Sequence, residues 1–112
     1  MSVTLKNANI LQLAVSPGAA IYTCPSGTAA RVLKCTVTND TTTVATCTFH
    51  KVASGGALGD DNFILNAKSI SSQATYECPE VVGQVLDAGD AIHAFGSVAT
   101  QLTVVIDVVE IV

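Results

Sequence analysis

The chain has 112 residues, a net charge of −4 and 49% hydrophobic residues, of which few are aromatic. An acidic balance argues against a protein that neutralises nucleic-acid phosphates or an anionic membrane surface, and no apolar run nears the ~20 residues of a membrane-spanning helix. The length sets a single domain over residues 1–112, able to bury roughly two-thirds of its unfolded surface, with a core of Val, Ile, Leu and Ala.

In chain order, residues 1–8 carry weak signals and are expected to form an extended arm. They lack a basic region followed by a long apolar block, so no signal peptide is expected and folding in a cytoplasm follows. Leu11, Leu13 and Val15 alternate with Gln12 and Ala14 as a first strand, closed by the turn Ser16-Pro17-Gly18. A short strand, Ala20 to Cys24, leads to the turn Pro25-Ser26-Gly27.

Next come two alternating runs. Leu33, Cys35 and Val37 are separated by Lys34 and Thr36; Ala45, Cys47 and Phe49 are separated by Thr46 and Thr48. Each run can bury one face. With Asn39-Asp40-Thr41-Thr42 between them, they predict a β-hairpin. Directly paired residues share a face, so odd residues pair with odd ones, and one allowed register sets Leu33 opposite Phe49, Cys35 opposite Cys47 and Val37 opposite Ala45.

Beyond it, Ser54 to Asp61 reads as a surface loop, Asn62–Asn66 and Ala74–Glu77 as short strands, and Cys78-Pro79-Glu80 as a break. Asp87-Ala88-Gly89-Asp90 is a tight turn whose acids can bind nearby amides. Ala91–Phe95 and Gln101–Val112 close the chain. In the last strand Leu102, Val104, Ile106 and Val108 mark one face and Thr103, Val105, Asp107 and Val109 the other; apolar residues on both faces near its end predict a central strand or one covered by a partner. No ten-residue stretch has a helical period. About eight short strands with turns between them predict an all-β protein, an antiparallel β-sandwich of jelly-roll type.

Motifs for chemistry are thin. Asp60, Asp61, Asp87 and Asp90 lack the spacing of a calcium loop and read as turn acids. His50 and His93 read as isolated strand residues. Gly55, Gly56 and Gly59 lack the Lys-Ser/Thr of a phosphate loop, and no nucleophile elbow is present. Asn39-Asp40-Thr41 matches a glycosylation sequon by chance. Cysteines 24, 35, 47 and 78 have no zinc-site spacing and read as small buried hydrophobes in the thiol form. The sharper alternative is a cross-strand bridge between Cys35 and Cys47. No catalytic residue, metal or cofactor is expected, and the chain is read as a non-enzyme.

Four segments carry a resemblance: Tyr22-Thr23-Cys24-Pro25-Ser26-Gly27-Thr28-Ala29-Ala30, Val37-Thr38-Asn39, Val85-Leu86-Asp87-Ala88-Gly89-Asp90-Ala91-Ile92 and the closing Val109-Glu110-Ile111-Val112. Over residues 20–112 the chain resembles small β-sandwich virion proteins of tailed bacteriophages. It departs from them in having Cys24 where Val is expected, and in Cys35, Cys47 and Cys78. The resemblance implies a structural subunit of the virion, made in the bacterial host cytoplasm. A head decoration (cement) protein is favoured, with a neck, collar or tail accessory as the alternative. It implies self-association, a trimer being favoured, and docking to the major capsid protein or another virion protein. A receptor- or glycan-binding module on the particle surface is the reading from another class, motivated by the Gly55–Asp61 loop and the Thr-rich tip.

Overall fold

Nine strands and no helix form the chain in a computed structural model that describes residues 1–112. They are β1 (Val3–Gln12), β2 (Ala19–Thr23), β3 (Ala29–Asn39), β4 (Ala45–Val52), β5 (Phe63–Ile70), β6 (Thr75–Tyr76), β7 (Val85–Leu86), β8 (Ala91–Gly96) and β9 (Leu102–Ile111). One sheet has the order β1-β9-β3-β6, with β7 also paired to β3; the other runs β2-β8-β4-β5. Every pairing is antiparallel.

The wiring is that of a jelly roll. Of the strand connections, only β4–β5 and β6–β7 stay within a sheet; all others cross between the sheets. The strand count is reconciled with the expected eight by β6 and β7, two short pieces along the same edge of β3. Their registers against β3, Val37 with Tyr76 and Ala30 with Leu86, are offset by three residues. The extra residues leave the sheet as the Glu77–Gly83 excursion.

Alternation places the core where the sequence predicts it. Leu102, Val104, Ile106 and Val108 are fully buried on the inner face of β9, which is central between β1 and β3. Facing them across the sandwich are Cys47 and Phe49 of β4 and Ile92 and Ala94 of β8.

The predicted β3–β4 hairpin does not form. The two strands lie in different sheets, and Asp40–Val44 carries the chain from one to the other. Period-2 patterning identifies a buried face but not the neighbouring strand, and both wirings bury the same residues. Cys35 pairs with Ile106 and Val37 with Val104; Phe49 pairs with Ala94 and Leu65, and Ala45 with Ile70. Cys47 pairs with Gly96 and Lys68.

Leu33 is also corrected. A bulge between Val32 and Lys34 resets the parity of β3, so Val32 is buried and Leu33 is 43% exposed. The expected N-terminal arm is strand instead: β1 begins at Val3 and pairs with β9 from Val3↔Ile111 onward.

Asn39 holds the β3–β4 crossing. Fully buried, it donates from Nδ2 to Thr43 O (2.8 Å) and Ile70 O (3.0 Å), while Oδ1 accepts from Thr41 N and Thr41 Oγ1. Its amide is therefore spent inside the fold, and the sequon offers no accessible acceptor.

Candidate functional site

Three of the four resemblance-bearing segments meet at one end of the sandwich, where Ala29 pairs with Ile111 and Ala30 with Leu86; Val37-Thr38-Asn39 lies at the other end of β3, where Asn39 pairs with Leu102. Tyr22 of β2 donates its hydroxyl to Glu110 Oε2 of β9 (2.6 Å), and Lys6 Nζ of β1 reaches the same oxygen at 3.5 Å. Burial, and then the Glu110 carboxylate, raise the Tyr22 phenol far above its ordinary value, so it stays a donor. Beside them Cys24 N donates to Asp90 O and Gly89 N to Cys24 O. The Asp90 carboxylate accepts from Ser54 N and Asp87 N, both at 3.0 Å. This is turn chemistry that ties loops together. No three His, Cys, Asp or Glu side chains are grouped so as to hold a metal ion.

His50 and His93, separate in the sequence, are direct partners across β4 and β8. His50 is buried, with its Nδ1 2.6 Å from Asn62 Oδ1 and its ring 4.4 Å from that of Phe63. Asn62 Nδ2 donates to Ala57 O, which leaves Oδ1 as the acceptor and makes His50 Nδ1 the donor. The Gly-rich loop is thereby pinned against the outer face of the β2-β8-β4-β5 sheet. His93 Nδ1 is buried without a partner. Burial, and then the neighbouring His50, lower its pKa. Nothing in the sequence announces this pair, because the β4–β8 register depends on the jelly-roll wiring.

The other sheet carries several exposed apolar side chains on its outer face. That face contains the row Leu5, Val109, Arg31, Val85 across β1, β9, β3 and β7, with Val3 beside Ile111 in the next row and Ile10 beside Val105 on the far side of the Asn7–Asp107–Lys34 row. Leu5 is 76% exposed, and Val3, Ile10 and Val85 are more than half exposed. Singly such residues are ordinary, but contiguous apolar positions mark interaction surfaces.

The face is not featureless. The β1 bulge at Asn7/Asn9 and the β3 bulge at Val32/Lys34 both flank Asp107 of β9. Bulges bend the sheet and re-aim side chains, and here they open a depression of about 310 Å³ lined by Leu5, Lys6, Asn7, Leu33, Asp107 and Val108. Asn7 Nδ2 donates to Asp107 Oδ1 (2.8 Å), and Lys34 is the register partner of Asp107 on the other side. A charged centre thus sits within an apolar field. The two bulges also explain why the face escapes sequence reading: they shift parity in both flanking strands, so Leu33 reads as core.

No protein-family profile matches the chain, and no curated protein is significantly similar to it in sequence.

Proposed function

We propose that the protein is a non-enzymatic assembly subunit that docks through the outer face of the β1-β9-β3-β7 sheet, first to further copies of itself. The observation that carries this is the exposed apolar set Val3, Leu5, Ile10, Leu33 and Val85 around Asp107 and Lys34. Burying one such side chain contributes about 1.5–3 kcal/mol, so several together can offset the entropy of association. Both charge signs lie in one row, so each copy can offer Lys34 to a partner's Asp107 about a symmetry axis.

The resemblance of the four turn segments directs the reading to the virion of a tailed bacteriophage. There the protein acts as a head decoration or cement subunit, a trimer being favoured, bound to the major capsid protein. Neck, collar or tail accessory roles are the alternative, and copy number per particle separates them. Light scattering in solution tests the docking face: the wild type is expected to associate, and Leu5→Asp with Ile10→Asp to be monomeric with an unchanged fold. A wild type that stays monomeric at high concentration overturns self-association. Absence from the mass spectrum of purified phage particles carrying this gene overturns the virion reading.

A glycan-binding module is supported by Phe63, an exposed aromatic beside the pinned Gly-rich loop, since sugar rings stack on such faces. A glycan array with the purified protein decides it, and no saturable binding at millimolar sugar removes it.

A further inference from the structure

The excursion between β6 and β7 brings two thiols together. The β3–β6 register pairs Thr38 with Thr75 and Val37 with Tyr76, and Asn39 N donates to Ala74 O. Continued by two residues, that register sets Cys78 against Cys35. The chain turns away there, with Cys78 at φ 45° and its carbonyl accepting from Val81 and Val82 N. Its side chain stays beneath the sheet, fully buried in the same core cluster as Cys35, with its thiol directed to Tyr76 O at 3.7 Å. Cys47 belongs to the facing sheet, and facing sheets lie about 10 Å apart. A disulfide needs Cα atoms within about 7 Å, so Cys35–Cys47 is the less accessible pairing. The Cys24 thiol is directed to Thr28 O and Leu86 O.

We propose that Cys35 and Cys78 are a disulfide-forming pair, oxidised by exchange with a small-molecule disulfide when the protein meets an oxidising medium. Access comes from local opening. β6 and β7 contribute two residues each; detaching the Glu77–Gly83 excursion, which is held by the buried Cys78 and Val81 and by Gly83 N donating to Val32 O, exposes Cys78. The Cys78 thiolate attacks one sulfur of the external disulfide, forming a mixed disulfide and expelling one thiolate. On reclosing, the Cys35 thiolate attacks the Cys78 sulfur and expels the second. Two protein thiols are oxidised by two electrons with loss of two protons, and the external disulfide is reduced to two thiols. The product ties the excursion to the centre of β3. It does not depend on the assembly reading.

The test incubates the reduced, folded protein with oxidised glutathione, then maps disulfides by peptide mass spectrometry. The expected result is a Cys35–Cys78 crosslink, two remaining thiols after unfolding in place of four, and a thermal midpoint raised on the order of 5–15 °C. Cys35→Ser and Cys78→Ser each abolish the crosslink, whereas Cys24→Ser leaves it intact. Retention of all four thiols, a glutathione adduct that never closes, or a crosslink through Cys47 overturns the proposal. The wild-type peptide map decides even if a serine variant fails to fold.

Discussion

His50 and His93 face each other across β4 and β8, one with its Nδ1 committed to Asn62 and the other with a buried, unpartnered Nδ1. Burial and the His50 neighbour hold the His93 pKa below its ordinary value, so the fold contains it as the neutral imidazole. The unfolded chain, titrating near pH 6.5, then binds the proton more readily than the folded one. Stability is complete above that value and is lost as the pH falls through it towards the lower folded pKa. The thermal midpoint is expected to drop from about pH 7 to about pH 5, and His93→Gln to flatten the dependence. An equal slope in the variant means the pair does not govern it.

Asn39 is expected to be among the most sensitive polar positions. Asn39→Ala removes both donors that hold the β3–β4 crossing and leaves Ile70 O buried without that bond. The cost is about 3 kcal/mol in urea unfolding. Asp40→Ala, one residue on and exposed, serves as the control and stays near zero. Equal losses at the two positions contradict this account of the corner.

The fold class was legible in the sequence because inner and outer faces follow a period of two, and Leu102 to Val108 or Ala45 to Phe49 show it without interruption. The partner of each strand was not. Cys35 and Cys47 have inward parity whether their strands pair or face each other, and Asn39-Asp40-Thr41-Thr42 serves a crossing as readily as a hairpin. Leu33 was misread because a bulge leaves no mark in the alternation. The exposed apolar face and the His50–His93 pair were out of reach for the same reason: each is assembled from strands whose register only the jelly-roll wiring fixes.

Val32 and Leu33 test that bulge directly. Val32→Ser puts a hydroxyl into the core and should cost about 2–4 kcal/mol. Leu33→Ser lies on the outer face and should stay within about 0.5 kcal/mol for the monomer. Urea midpoints compare the two, and the reverse ranking restores the unbroken alternation.

Gly89 is placed by φ 88° and by its neighbour: a methyl there would collide with Ser54 Oγ and Cβ. Gly89→Ala is expected to lose about 2–4 kcal/mol. Ser54→Gly in the same chain should return the steric part and leave about 1 kcal/mol of backbone strain. Thermal unfolding of the pair measures this, and no recovery in the double variant shows the contact to be unimportant.

β1 gives its sheet two unlike ends. It runs for ten residues with an outer edge that no strand covers, whereas the opposite edge is divided between two-residue pieces. An open edge is a template for another chain. Within this sheet the template exists on one side only, so pairing of two copies through β1 leaves no equivalent edge in the joined sheet. Growth by that route ends at a pair, and the sheet cannot propagate into a fibre.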